Sequence, residues 1–148
     1  MFMGIDITIL TVTAILLPFV AALLIAMLPQ KFDQALNIGA AAISTLLLIC
    51  VWIGFAQTGQ DSFTVDIAVI GNAQIIGIVF DRMSVMLATC FVAIGLLISI
   101  YSVGYMSPRN REHPDSASRR FYSFFTAFIG AMAGLVFSST VLGQLVFF

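Results

Sequence analysis

The side chains that could do chemistry in this 148-residue chain are mainly hydroxyls and amides placed inside long apolar runs. They are Thr11, Thr13, Asn37, Ser44, Thr45, Thr89, Ser99, Ser102, Ser123, Thr126, Ser138, Ser139, Thr140 and Gln144. Such groups usually hydrogen-bond to a neighbouring helix or to a carbonyl of their own helix. The alternative is that they line a hydrated proton path whose titrating groups lie elsewhere.

Metal, redox and nucleic-acid chemistry are poorly supported by the composition. One histidine and two cysteines are too few ligands for an iron–sulfur cluster or a closed zinc site. Six basic residues against seven acidic ones give no clustered cationic face for nucleic acid. The sequence therefore predicts no catalytic, cofactor-binding or metal-binding residue, and whether the chain belongs to an enzyme stays open.

The elements that carry these side chains are predicted to be membrane-spanning helices. The composition is 61% hydrophobic and only 9% charged, too little charge to cover the surface of a soluble monomer. Four runs lack any charged residue or histidine, and each exceeds the roughly 20 residues that span a bilayer as a helix. These runs predict an all-α membrane fold with helices at about 7–28, 35–56, 84–106 and 121–142, plus the start of a fifth helix.

A shorter apolar stretch between the second and third helices predicts a hairpin. Two runs rich in β-branched residues, 63–70 and 73–80, flank Gly71 and Asn72, a pair typical of a two-residue turn. The stretch is too short to span a bilayer, so we expect it to lie at the membrane surface. Asp81 is predicted to cap the third helix, because a carboxylate there accepts from first-turn N–H groups.

The basic residues predict an orientation. Lys31 and the four arginines of loop 107–120 fall on one side of a simple weave, and only Arg82 falls on the other. Because positive residues concentrate on the cytoplasmic side, the N-terminus is expected outside and loop 107–120 inside.

Gly130 and Gly134 are predicted to be helix-packing residues. Their spacing of four places both on one face of the fourth helix, where another backbone can approach closely.

Four segments carry a resemblance to a known family. The stretches 80–84 (FDRMS) and 100–106 (IYSVGYM) precede a basic loop and a phenylalanine-rich helix. This resembles the N-terminal region of the antiporter-like subunits of respiratory complex I, Mrp antiporters and membrane-bound hydrogenases. Segments 110–114 (NREHP) and 129–148 are most similar to the D subunit of hydrogenase-4, found in formate-hydrogenlyase-type complexes.

The resemblance implies a role but supplies no proton-handling residue. The family's glutamate would follow Phe148, and its lysines lie on later helices. What the resemblance implies here is an N-terminal scaffold with a neutral polar wall beside that glutamate. The implied wall residues are Ser138, Ser139, Thr140 and Gln144.

The resemblance also implies partners, cofactors and a location. Nickel–iron and iron–sulfur centres are expected in partner subunits, with none in this chain. Other membrane-arm subunits, a peripheral redox arm and lipid are the expected partners. The expected location is a bacterial or archaeal cytoplasmic membrane. Because the sequence stops within an apolar run, we expect that the product is split, that the remainder after Phe148 is a separate or unrecorded chain, or that a fifth helix continues against a partner.

Three other functions stay open from the sequence. The chain could be a purely structural subunit of a membrane arm, or the equivalent subunit of complex I or an Mrp antiporter. It could instead contact a quinone, for which Tyr105 and His113 are the only pair to nominate.

Overall fold

The computed structural model describes residues 2–59, 61–70, 73–106 and 115–148 and is mainly helical. The helices are α1 (Phe2–Met27), α2 (Asp33–Thr58), α3 (Arg82–Tyr105), α4 (Asp115–Phe137) and a short α5 (Val141–Phe147). A 3-10 turn, Gln30–Phe32, joins α1 to α2. Strands β1 (Ser62–Ile70) and β2 (Ala73–Asp81) lie between α2 and α3.

Four helices are long and apolar enough to cross a membrane, as the sequence predicts. These spans are Ile7–Met27, Gln30–Gln57, Arg82–Tyr105 and Ser118–Phe137. The fold is therefore that of an all-α integral membrane protein with one small hairpin.

The helices form a bundle in which α1 and α3 each pack against both α2 and α4. Neighbours run antiparallel, since Ser123 of α4 donates to the Ala22 carbonyl of α1 and Arg119 donates to that of Leu28. The bundle thus has two ends. We call the end where α2 and α4 begin the loop end, and the end that carries β1 and β2 the hairpin end.

The hairpin matches the prediction in type and position. β1 and β2 pair antiparallel, from Ser62 opposite Asp81 to Ile70 opposite Ala73, with irregular register on either side of Ala68. The predicted turn residues Gly71 and Asn72 lie outside the described residues. Asp81 caps α3 as predicted, because its carboxylate accepts from the Ser84 backbone N–H at 2.6 Å.

Aromatic rings fill the hairpin end. Phe80 is fully buried and stacks on Phe63 with ring centroids 4.6 Å apart. It also contacts Phe137 at 5.8 Å, and Phe63 contacts Phe55 at 6.1 Å. The hairpin therefore packs on the bundle through an apolar core, and an exposed Arg82–Asp61 ion pair of 3.0 Å lies beside it.

The fourth helix differs from its predicted bounds of 121–142. It begins at Asp115 and ends at Phe137, and Ser138 then forms an isolated antiparallel bridge with Ile78 of β2. The Ser139 N–H donates to the Gly77 carbonyl at 3.0 Å, so the chain is extended here before α5 begins. A charge-free run marks apolar length, but it cannot show a long-range pairing that interrupts the helix.

Candidate functional site

The described helices enclose a group of polar residues in the loop half of the bundle. We call it the polar cluster. Its members are Asp33, Asn37, Ser99, Ser102, Tyr122 and Thr126, all with 2% or less of their surface exposed.

Asn37 of α2 joins three helices within the polar cluster. Its side-chain oxygen lies 2.8 Å from the Thr126 hydroxyl of α4 and 3.4 Å from the Ser99 hydroxyl of α3. Each hydroxyl shares its single proton between Asn37 and a carbonyl of its own helix, which lies at 2.6 Å for Thr126 and 2.8 Å for Ser99. Buried amides and hydroxyls are stable in an apolar interior only when they are paired in this way. The contact fixes α2 against both α3 and α4.

Tyr122 extends the polar cluster toward the loop end. Its phenol donates to the Ser102 carbonyl at 3.2 Å, and its own carbonyl accepts from Thr126 at 2.6 Å. The Ser102 hydroxyl in turn donates to the Ser99 carbonyl at 2.7 Å. The hydroxyls of α3 and α4 thus meet across the interface between the two helices.

Asp33 is the ionisable member of the polar cluster, and the predicted second helix does not include it. The structure begins α2 at this residue and buries it completely. The Arg119 guanidinium of α4 acts on it electrostatically, although the two residues form no direct ion pair. The signal that could have found Asp33 is its spacing from Asn37, which puts both on one face of a helix.

The residues predicted to form a proton-path wall lie at the opposite, hairpin end. The Ser138 hydroxyl donates to the Thr140 carbonyl at 3.2 Å, and the Thr140 hydroxyl donates to the Ile75 carbonyl at 2.7 Å. Thr140 also accepts from the Gly143 N–H and so caps α5. These bonds join α4, α5 and β2.

Gln144 does not share the setting of the three hydroxyl residues. It is exposed on α5 and lines a shallow apolar groove with Leu135, Val141, Leu145 and Phe148. A wall role for these four residues therefore stays a prediction, and the structure brings only Ser138, Ser139 and Thr140 together.

Gly130 and Gly134 lie at close approaches between elements. A Cβ added at Gly130 would come within 3.0 Å of the Ile15 carbonyl oxygen and 2.9 Å of the Phe19 ring, both on α1. A Cβ at Gly134 would lie 2.5 Å from the Phe147 ring of α5. The two glycines face different partners, so they do not form one common seam.

Little in the described residues supports a metal or quinone site. No three His, Cys, Asp or Glu side chains in this part of the chain lie together. Tyr105 is exposed near the end of α3, where its ring stacks with Tyr101 at 6.5 Å. His113, its nominated companion for quinone contact, lies outside the described residues.

The architecture defines the class of protein as a multi-pass membrane chain with a polar interior at one end of its bundle. Comparison with known proteins then narrows the class. Residues 69–122, from β1 to the first half of α4, match the family model described as NADH-ubiquinone oxidoreductase (complex I), chain 5 N-terminus.

A curated relative supports the same superfamily. The chain is 28% identical over 134 residues to the Na(+)/H(+) antiporter subunit A1 of Staphylococcus haemolyticus (strain JCSC1435). This similarity covers 87% of the chain but only 16% of that protein, so the chain spans a small part of its relative's length. The chain is thus similar over these regions to the N-terminal part of a complex I subunit and to a part of a sodium/proton antiporter subunit.

Proposed function

We propose that this chain is the N-terminal scaffold of a proton-translocating, antiporter-like subunit in a hydrogenase-4 or formate-hydrogenlyase-like complex. In this proposal, partner subunits carry the nickel–iron and iron–sulfur chemistry. The membrane arm couples that chemistry to proton or sodium movement. This chain supplies packing faces and neutral polar groups to the arm, and it lies in a bacterial or archaeal cytoplasmic membrane.

The observation that carries the proposal is the polar cluster inside an apolar four-helix bundle. A fully buried Asp33 is costly within a bundle of membrane spans, and such residues commonly mark ion or proton pathways. The similarity to the complex I and Mrp superfamily supports the same proposal. The hydrogenase-4 specificity rests on the segments 110–114 and 129–148 alone.

A specific observation favours the Mrp antiporter as the second candidate. The relative is named as a sodium/proton antiporter subunit. An Mrp-type assembly would exchange sodium for protons without any redox partner, so the two candidates predict different co-purifying chains.

A purely structural role is the third candidate, and the bonds around Thr140 favour it. The hydroxyls of Ser138 and Thr140 both donate to backbone carbonyls, which leaves no proton on either to pass to water. A structural role predicts that Ser139→Ala and Gln144→Leu leave ion movement intact, whereas Gly134→Leu disrupts assembly against Phe147. Loss of ion movement in Ser139→Ala with normal assembly would support the wall function instead.

The deciding experiment is purification of the complex from native membranes through an affinity tag on this chain. A hydrogenase-4-like complex predicts nickel and iron in the purified material and redox-driven acidification of inverted vesicles. Absence of both metals together with sodium/proton exchange would favour the Mrp candidate. Intact mass of the tagged subunit, compared with 16.0 kDa plus the tag, would show whether further sequence belongs to the same polypeptide.

A further inference from the structure

Buried polar atoms without hydrogen-bond partners concentrate at the loop end of the bundle. Within the described residues, both carboxylate oxygens of Asp33 lack a partner, and so do Nδ2 of Asn37 and Nε of Arg119. Ser44 Oγ, farther along α2, is the remaining atom of this kind. Four of the five unpartnered atoms thus belong to three residues.

These three residues belong to α2 and α4, which pack against each other. Asp33 and Asn37 are one helical turn apart on α2 and are both fully buried. Arg119 approaches from α4 and interacts electrostatically with Asp33. One of its terminal nitrogens is held by the Leu28 carbonyl at 2.7 Å, which fixes the guanidinium beside the α1–α2 turn.

The unpartnered atoms have the donor and acceptor composition that water requires. Asn37 Nδ2 and Arg119 Nε are donors, whereas the two Asp33 oxygens are acceptors when the carboxylate is ionised. Buried water typically makes about three hydrogen bonds to such groups. Water can donate to the two carboxylate oxygens and accept from the two nitrogens.

Positive charge around the site opposes the cost that burial imposes on an ionised Asp33 carboxylate. Burial alone disfavours the charged form of Asp33, and bound water would offset part of that cost. Asp33 is the first residue of α2, where the partial positive charge of the helix N-terminus stabilises an anion, and Arg119 adds a full positive charge. A metal cation would have to compete with that guanidinium for the same carboxylate, so the charges point away from a cation as the ligand.

We propose that ordered water occupies the loop end between α2 and α4 and links Asp33 to Asn37 and Arg119 as a water-mediated ion pair. This makes a hydrated inlet that extends into the bundle as far as the Asn37–Thr126 bond. The water site does not depend on the proposed function. Where that function holds, the inlet is at the opposite end from Ser138 and Thr140.

Radiolytic hydroxyl-radical footprinting of the wild-type chain in lipid nanodiscs tests the proposal. Radicals formed from bound water modify adjacent rings even when those rings are buried. Tyr122 lies on α4 between Arg119 and Thr126, and Phe137 is equally buried at the hairpin end. We expect several-fold faster modification of Tyr122 than of Phe137, and equally slow modification of both would overturn the proposal.

Two variants that each keep the approximate shape of the original side chain test whether the Asn37 amide holds the water. Asn37→Leu removes the unpartnered donor, and Tyr122 modification should fall toward that of Phe137. Thr45→Val is the matched control, because the Thr45 hydroxyl donates only within α2, to the Ala41 carbonyl. Unchanged Tyr122 modification in Asn37→Leu would refute the assigned role of Asn37. If Asn37→Leu does not fold, the comparison of Tyr122 with Phe137 in the wild-type chain still tests the water site. Neither measurement uses ion transport, so a failure of the proposed function would not affect them.

Discussion

At the scale of single residues, Asn37 organises the loop half of the bundle. One amide oxygen accepts from hydroxyls on two other helices, at 2.8 Å from Thr126 and 3.4 Å from Ser99. Interhelical hydrogen bonds in membrane proteins contribute about 0.6 kcal/mol on average and up to about 1.7 kcal/mol. Each bond is modest, but a shared acceptor fixes the relative positions of three helices at once.

Thr126→Val is expected to destabilise the chain by about 0.6–1.7 kcal/mol, because it removes the shorter bond to Asn37 while keeping the shape of the side chain. The measurement is the free energy of unfolding in mixed micelles titrated with a denaturing detergent. Thr45→Val is the control, since its hydroxyl bonds only within its own helix and its loss should change stability little. Equal losses in the two variants would contradict an interhelical contribution from Thr126.

The residues that the sequence could not place are those whose roles depend on distant partners. Asp33 falls outside the predicted second helix because the prediction ended each helix where its charge-free run ends. The helix itself extends beyond that run and begins at Asp33. Thr140 is similar, because its hydrogen bond to Ile75 joins residues 65 positions apart. In contrast, the Asp81 cap is encoded within three residues and is predicted correctly.

At the scale of elements, α1 and α4 meet where Gly130 lets their backbones approach. A Cβ there would come within 3.0 Å of a backbone carbonyl oxygen, which cannot rotate away as a side chain can. Small residues at such interfaces are how membrane helices gain packing contacts when lipid removes the hydrophobic driving force between them. The spacing of Gly130 and Gly134 suggests one partner, but the two residues face α1 and α5 separately.

Gly130→Ala should lower the free energy of unfolding, because overpacking typically costs about 1–3 kcal/mol and outweighs the improved helix propensity. Gly39→Ala is the matched control. A Cβ at Gly39 meets nothing within 4 Å, so this variant should gain up to about 1 kcal/mol from helix propensity alone. The same detergent titration measures both, and a gain at both positions would contradict close packing of α1 on α4.

Four helices and a hairpin could be predicted from the sequence because each is encoded by a local pattern. Apolar length defines the spans, and alternating β-branched runs define the strands. The end of α4 at Phe137 is missed because it depends on pairing of Ser138 with Ile78 of β2. Three consecutive hydroxyl residues there do favour a helix end, since their side chains compete for backbone hydrogen bonds.

At the scale of the whole molecule, the interior changes character along the bundle axis. The loop end holds Asp33, Asn37 and Tyr122, whereas the hairpin end holds the stacked rings of Phe80 and Phe137. The outer surface is apolar throughout the spans, as lipid requires, with exposed residues such as Leu23, Leu97 and Phe124. The polar cluster therefore lies at the loop end, whereas the hairpin end has buried hydroxyls beside its aromatic core.

The basic residues predict which end faces the cytoplasm, and paired cysteine variants test that orientation. In a background without Cys50 and Cys90, Phe32→Cys reports the loop end and Ser62→Cys reports the hairpin end; both positions are exposed. Because Lys31 and the arginines of loop 107–120 favour the inner side, a membrane-impermeant maleimide should label Ser62→Cys in intact cells.

Phe32→Cys should react with the same reagent only after the membrane is permeabilised. The opposite pattern would invert the predicted orientation and place the polar cluster toward the outside. Labelling of both positions from one side would contradict a membrane-spanning α2, since this helix alone separates the two reporters. With the predicted pattern, the loop end and its buried Asp33 face the cytoplasm, so the charge bias that sets the topology also sets which compartment the polar cluster faces.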